Sequence, residues 1–258
     1  VTLRVSGGRR LLSPPGNLAR PTAARVRLAV INRLAPRLGG CRWLDLCCGS
    51  GAMACEALQH GAGSVVAVER DRRIAEVART NLKAVAAGRS DRPPVQVETA
   101  EVLQWLARGP GALACLAAAD RDAKPGFDLI YVDPPYAAGL YRPIAEAVAR
   151  SGWIAAGGLL VWECNSRQIP QLPEGWQLQA MRRYGGSAVL YLEASAAQGT
   201  AAAVLVPGGD KKAGQGDGNQ AENDAAEERF DHGAGLGRGA LRNSSMMEAR
   251  PRAFPAQP

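Results

Sequence analysis

The sequence predicts an α/β fold built on a seven-stranded, mostly parallel sheet that ends in an antiparallel hairpin. Three observations carry this reading. Between residues 41 and 193, apolar runs of strand length alternate with amphipathic helical stretches, the pattern of parallel strands linked by helices. A glycine-rich turn, Gly49-Ser50-Gly51, separates the first strand from the helix after it. Later, Gly185-Gly186 joins two β-like runs and fits a tight hairpin.

Residues 21–38 read as a helix, with Pro21 and Thr22 at its start and Val26, Val30, Ile31 and Leu34 on one face. Strands are expected at 41–46, 64–69, 95–98, 127–132 and 158–163. Helices are expected at 52–60, 71–87, 101–108 and 141–151. The hairpin strands are 176–184 and 187–193. Residues 108–124 form a longer connection with the character of a variable insertion. The chain thus divides into a basic N-terminal extension (1–40), an α/β domain (41–193) and a tail (194–258). The tail is rich in Ala, Gly, Asn and Gln and nearly free of aromatic residues. It cannot bury enough apolar surface to offset its ordering entropy and is expected to be disordered.

Charge is concentrated at the N-terminus. Residues 1–44 hold nine arginines and no acid, while 45–193 and 194–258 each carry a net charge of −1. The whole surplus of +7 therefore belongs to the first segment, which points to a polyanionic partner there. Arg4, Arg9, Arg10, Arg20, Arg25 and Arg27 are the candidate phosphate contacts, whereas Arg33 and Arg37 read as ordinary helix solubility. A transit peptide is the competing reading, but serines are few and no linker precedes the first strand. A solvated basic face without a partner is the other. No apolar run reaches the roughly 18 residues of a membrane span. The six cysteines form no C-x-x-C pair and fall mostly in apolar patterns, as expected of buried thiols in a reducing cytoplasm. His60 and His232 offer no ligand cluster, so no metal is expected.

Two segments carry the chemistry. In the first, Asp45 to Gly51, Gly49 and Gly51 allow a tight turn and close approach of a ligand to the main chain. Glu69, ending the second strand, is placed for both hydroxyls of a ribose, a device that nicotinamide dinucleotide sites share. The dinucleotide fingerprint, however, needs glycine at position 54, which is Ala54 here. Asp45 points instead to a ligand with a cationic amino-acid end. S-adenosylmethionine meets these demands, held by Asp45, Cys47, Gly49, Ser50, Gly51, Glu69 and Arg70, with Glu101 and Val102 flanking its adenine. Taken singly, Asp45 and Glu101 also read as helix or loop caps. The second segment is Asp133-Pro134-Pro135-Tyr136, which ends the fourth strand. The prolines cannot donate hydrogen bonds and keep the backbone extended. They leave a stiff lip of carboxylate, carbonyl and aromatic face, suited to an amine on a planar ring. Ligands of open α/β sheets bind outside the carboxyl ends of the strands, where both segments converge.

Over residues 3–193 the chain resembles the RsmD family. The resemblance is carried by Arg4 to Arg10, Arg20-Pro21-Thr22, Asp45 to Gly51 running on to Glu56-Ala57-Leu58, Gly61-Ala62, Val68-Glu69-Arg70 and Asp133 to Tyr136. Cys47-Cys48 stand where the family usually has a Phe-Ala-like pair. The resemblance implies a Rossmann-like class I methyltransferase fold. It also implies methyl transfer from S-adenosylmethionine to a guanine N2 amine of small-subunit (16S) ribosomal RNA. Asp133, Pro134, Pro135 and Tyr136 would then be catalytic, and Thr22 would join the RNA-binding arginines. A monomeric cytoplasmic enzyme is expected, with ribosomal RNA or the assembling small subunit as partner. The rival readings are DNA adenine-N6 methylation by the same lip, an NAD(P)-dependent oxidoreductase and an inactive RNA-binding relative. The oxidoreductase leaves the lip unexplained.

Overall fold

A computed structural model of the protein describes residues 3–14, 24–112, 126–135 and 138–195. Most of the expected tail, the connection 113–125, Arg20 to Thr22 and Tyr136 lie outside the described residues.

Helix α1 spans Ala24–Leu38, followed by β1 (Arg42–Leu46), α2 (Ala52–Gln59), β2 (Ser64–Glu69), α3 (Arg72–Ala87) and β3 (Val95–Thr99). The chain continues through α4 (Val102–Leu106), β4 (Phe127–Val132), α5 (Tyr141–Arg150), β5 (Ile154–Asn165), β6 (Trp176–Tyr184) and β7 (Ser187–Ala194). The seven strands lie in one sheet in the order β3-β2-β1-β4-β5-β7-β6. Pairing is parallel from β3 to β5. It becomes antiparallel where β7 joins β5 and β6 joins β7, as the sequence predicts. The chain runs outward from β1 to β3 and then returns to place β4 on the other side of β1. The strand order reverses between β1 and β4, the place where open α/β sheets form a crevice beyond the carboxyl ends of their strands.

The sheet is buried on both faces. Trp43, Leu129, Tyr131 and Val161 pack on one side with Val30, Ile31 and Leu34 of α1, Leu58 of α2 and Leu82 of α3. Leu44, Ile130, Leu160 and Trp162 pack on the other with Trp105 of α4 and Ile144 and Val148 of α5. Local chemistry sets the ends of the helices. The Asp71 carboxylate caps α3 by accepting from Arg73 and Ile74 N–H, and Glu101 caps α4 through Leu103 and Gln104 N–H. These caps satisfy amide donors that have no partner inside the helix. Two elements differ from expectation. Helix α4 is shorter, because Glu101 is its cap. Strand β5 begins at Ile154, because Phe127 pairs with Ile154 across an irregularity before Leu129 pairs with Leu159. Among the described residues, no helix is long and apolar enough to cross a membrane.

The N-terminal segment is part of the core. Leu3, Val5 and Leu11 are buried in the same cluster as α1, α2 and α3. A small antiparallel turn, bridged at Arg4 and Arg10, is tied down by Ser6 N–H donating to both oxygens of Glu56, at 3.3 and 3.1 Å. Further along, the Asn81 side chain on α3, 2% exposed, accepts from Leu12 N–H at 2.8 Å and donates to the Leu12 carbonyl at 3.0 Å. It also donates to the Ser50 carbonyl at 3.0 Å. One amide thus fastens the N-terminal segment to the glycine-rich turn. A basic extension separate from the α/β domain, as the sequence suggested, is not how residues 3–14 and α1 pack.

At the opposite edge of the sheet, Asp128 clips β4 to β1. Its carboxylate accepts from Arg42 N–H at 2.8 Å and meets the guanidinium at 2.9 and 3.1 Å. Burial works to raise the Asp128 carboxyl, but the hydrogen bonds and charge of Arg42 outweigh it and hold the group below the usual range. Its stabilising contribution is therefore present above about pH 4 and is lost as pH falls through the folded-state value.

Two outcomes are expected. Asp128→Asn lowers the melting temperature at neutral pH, and the gap to wild type closes on acidification; a gap constant down to pH 2 contradicts the clip. Asn81→Leu removes three side-chain hydrogen bonds and leaves the buried Ser50 carbonyl without this partner, at a cost of about 2–3 kcal/mol. Calorimetry should show its melting temperature lower by about 5–10 °C and its affinity for S-adenosylhomocysteine reduced.

Candidate active site

The crevice is built from the ends of four neighbouring strands. After β1, Cys47, Gly49 and Gly51 all take left-handed backbone angles, with φ of 64°, 54° and 74°. Such angles are natural for glycine and strained for cysteine, and strain of this kind gathers at ligand-binding turns. The turn is held by Cys48 N–H on the Val68 carbonyl at 3.0 Å and by Gly51 N–H on the Cys48 carbonyl at 2.9 Å. A side chain at Gly51 would press on Ala78 of α3, whereas Gly49 faces open space. The backbone at Gly49 is thus approachable, as a cradle for a ligand requires.

Glu69 ends β2 beside this turn. One of its oxygens accepts from Gly49 N–H at 3.0 Å and the other from Asp71 N–H at 2.9 Å. These bonds fix the carboxylate and leave each oxygen further acceptor capacity. Asp45, in β1, is 1% exposed and accepts from Ala54 N–H at 3.1 Å, so it anchors the first turn of α2. Burial, with the Asp133 charge beside it, pushes the Asp45 carboxyl well above the usual range, against the Ala54 hydrogen bond. Ser50 and Val102 are buried and Arg70 is exposed. The capping alternative for Asp45 and Glu101 thus describes the hydrogen bonds they make. Asp45 is nevertheless buried beneath the turn and Glu101 partly exposed after β3, and both charges act on Cys47.

Asp133 follows β4. Its N–H lies 3.4 Å from the Leu46 carbonyl at the end of β1, so the lip and the glycine-rich turn are neighbours. Pro134 is buried and Pro135 exposed. The Pro135 carbonyl accepts from Ala138 N–H at 2.9 Å; among the described residues no backbone N–H is seen donating to that of Pro134. Convergence of the strand ends is felt at the half-buried Cys47 thiol. Burial first, then the charges of Glu69, Asp45, Asp133 and Glu101, push it up to about 12. Four carboxylates from four strand ends therefore act on one point. The same shift keeps the thiol protonated, which makes it a poor nucleophile.

Sequence reasoning missed the support beneath the lip. Glu163, near the end of β5, is 2% exposed; it accepts from the Tyr131 hydroxyl at 2.5 Å, and its carbonyl accepts from the Tyr141 hydroxyl at 2.7 Å. Tyr131 stands two residues before Asp133, so this pair stiffens the strand that carries the lip. The signal available was a lone glutamate inside the apolar run 159–164.

The candidate phosphate contacts do not form one group. Arg27 is 2% exposed, donates to the Arg4 carbonyl at 2.8 Å and lies 3.7 Å from Glu56. Its guanidinium is an internal strut with no surface for a phosphate, which corrects the expectation for this residue. Arg4 donates to the Gly8 carbonyl at 2.8 Å, and Arg9 lies against Gly88, which ends α3. Since α3 begins beside Glu69, its sixteen residues set that end about 24 Å from the crevice. Arg10 belongs to the same turn. Arg25 is exposed and lies near Gly185 of the β6–β7 turn. Arg20, Thr22 and Tyr136 lie outside the described residues.

A family model described as "Conserved hypothetical protein 95" matches residues 4–193. The Escherichia coli (strain K12) "Ribosomal RNA small subunit methyltransferase D" is 29% identical over 172 residues, covering 66% of this chain and 77% of the relative. The Bacillus subtilis "Putative rRNA methyltransferase YlbH" is 30% identical over 167 residues, covering 65% and 82%. Among solved structures, the Escherichia coli "Putative methyltransferase yhhF" superposes with a TM-score of 0.60 at 28% identity, over 76% of this chain and 99% of that one. With the family match spanning most of the chain, this protein belongs to the RsmD family and carries the class I methyltransferase fold.

Proposed function

We propose that this protein transfers a methyl group from S-adenosylmethionine to the exocyclic N2 amine of a guanine in small-subunit (16S) ribosomal RNA. The observation that carries the reading is the junction of Leu46 and Asp133, which sets a candidate donor turn directly beside an acceptor lip. The names of the relatives, ribosomal RNA methyltransferases, supply the substrate class.

The residues fit the donor. The open backbone at Gly49 and the fixed carboxylate of Glu69 suit an adenosine ribose. The carboxylates of Glu69, Glu101 and Asp133, with Asp45 buried behind them, favour a sulfonium cation over a neutral or anionic ligand. When bound, S-adenosylmethionine supplies an electrophilic methyl on that sulfonium. The work of the chain is to present the amine to it. An exocyclic amine is a weak nucleophile because its lone pair is delocalised into the ring. Asp133 and the Pro134 carbonyl accept its two N–H groups, draw the nitrogen toward tetrahedral geometry and aim the lone pair. Positive charge grows on the nitrogen during transfer, and the Asp133 carboxylate stabilises it. The methylated nitrogen is acidic and loses its proton to solvent, so no strong base is needed. Tyr136 stacks on the base, contributing ~1–3 kcal/mol, and the nucleotide leaves its helix to reach it. Glu163, through Tyr131, positions the lip and touches no substrate. On this reading the partner is ribosomal RNA or the assembling small subunit, met in the cytoplasm by a monomeric enzyme.

Tritiated donor, offered with small-subunit ribosomal RNA or with duplex DNA, tests the substrate. Label is expected in guanine of the RNA; label in adenine of the DNA would select the rival. Asp133→Ala is expected to lower the rate of transfer roughly 100- to 1,000-fold, with S-adenosylhomocysteine affinity close to wild type. Wild-type turnover in that variant would falsify the assignment.

A further inference from the structure

We propose that the tip of the β6–β7 hairpin, together with the turn at 165–168, is a phosphate grip that holds the RNA strand beside the lip; this rests on the RNA methyltransferase reading above. Topology places it there. Strand β7 runs antiparallel to β5, and Ser187 pairs with Asn165 at the end of β5. The Gly185-Gly186 tip therefore stands at the carboxyl edge of the parallel strands, the edge that carries Asp133. Arg167, Arg182 and Arg183 are all exposed there, and Arg25 of α1 reaches the same tip. Between residues 164 and 192 the single acid is Glu174, which precedes Trp176 at the far end of β6, where it pairs with Ala194.

The tip is pre-organised. Ser166 N–H donates to the Gly186 carbonyl at 2.9 Å, and its hydroxyl donates to the Gly185 carbonyl at 2.8 Å. Arg183 donates to the Ser166 carbonyl, and the Asn165 side chain accepts from Arg167 N–H at 2.9 Å. These bonds stitch the turn to the hairpin and set its arginines on a fixed frame. Each guanidinium has five N–H donors, so the single side-chain bonds made by Arg182 and Arg183 leave donors for phosphate. Successive side chains on a strand point to opposite faces, so Arg182 and Arg183 straddle the hairpin. The Cys164 thiol, at the end of β5, feels both Arg183 and the lip. Burial and Glu163 raise it, the Arg183 charge lowers it and the Asp133 charge raises it.

Electrostatics requires such a grip. The crevice is lined by carboxylates and repels the backbone of the strand whose base it must receive. A flipped nucleotide needs its neighbouring phosphates held. Arg4 and Arg9 are bound within their own turn and at the end of α3 remote from the crevice. The hairpin arginines stand at the carboxyl edge of the sheet, the edge that carries Asp133, three strands along from β4.

Fluorescence anisotropy with a labelled fragment of small-subunit ribosomal RNA reads binding, and tritiated donor reads transfer. Arg182→Gln/Arg183→Gln is expected to weaken RNA binding about tenfold and to lower the slope of log affinity against log salt by about 2, with S-adenosylhomocysteine affinity unchanged. The matched pair Arg108→Gln/Arg150→Gln, at the opposite edge of the sheet, is expected to lose less than about twofold. Arg167→Gln, which leaves the hairpin strands intact, lowers the slope by about 1 and carries the test if the double variant unfolds. Equal losses in the two pairs overturn the grip, as does wild-type RNA affinity in both the Arg182/Arg183 and Arg167 variants. A wild-type protein that binds the RNA but transfers no methyl overturns the methyltransferase reading and leaves the grip standing. One that binds no RNA overturns both.

Discussion

Everything at the crevice depends on β4 lying against β1. Parallel strands all end at one edge, but only where the strand order reverses do two neighbouring loops diverge and leave room between them. The Leu46–Val132 pairing brings the left-handed turn after β1 and the proline-stiffened end of β4 to the same level. The register makes one crevice of them, and the Asp128–Arg42 clip at the other end of the two strands opposes slippage of that register.

The N-terminal segment stabilises this arrangement from behind. Its apolar residues join the cluster that α1, α2 and α3 form on the sheet, and the buried Arg27–Glu56 pair meets it at Arg4 and Ser6. Such a pair adds little net stability, because desolvating two charges offsets their attraction. Removing one partner is another matter, costing about 3–5 kcal/mol. The pair is better understood as a peg that admits one seating of the segment. Asn81 then passes that seating on to Ser50. Residues 3–14 and the turn that faces the crevice are thus parts of a single mechanical unit.

Much of the fold was legible because burial on both faces leaves a plain mark. Runs such as 64–69 and 127–132 are apolar for the length of a strand, and their bounds agree with β2 and β4. The start of β5 was not legible: Ala155, Ala156, Gly157 and Gly158 have weak strand preference, and pairing with Phe127 recruits the region. The strand-end positions of Asp45, Glu69, Glu101 and Asp133 followed from motif spacing. Their hydrogen bonds did not, since a carboxylate at a strand end serves equally as cap or ligand contact. Arginines were the hardest to read. Arg25 and Arg27 are two residues apart on one helix, yet one faces solvent and the other is sealed in the core. A charge count cannot separate them. Helical phase gives a hint, because Arg27 shares a face with Val30, Ile31 and Leu34. Tyr131 and Glu163 escaped notice because each lies in an apolar run and finds its partner on a neighbouring strand.

The burial of the cysteines also bears on labelling chemistry. Cys41, Cys48, Cys55 and Cys164 are buried, Cys47 half-buried, and every one of these thiols is pushed above its ordinary value. Maleimide dyes, which react with accessible thiolate, should find these five slow. Gly186 is exposed and needs no left-handed angle, and a Cβ at that position would meet no atom within 4 Å. A cysteine there would give the hairpin tip a thiol more accessible than those five, and a dye on it would report on whatever meets the carboxyl edge of the parallel strands.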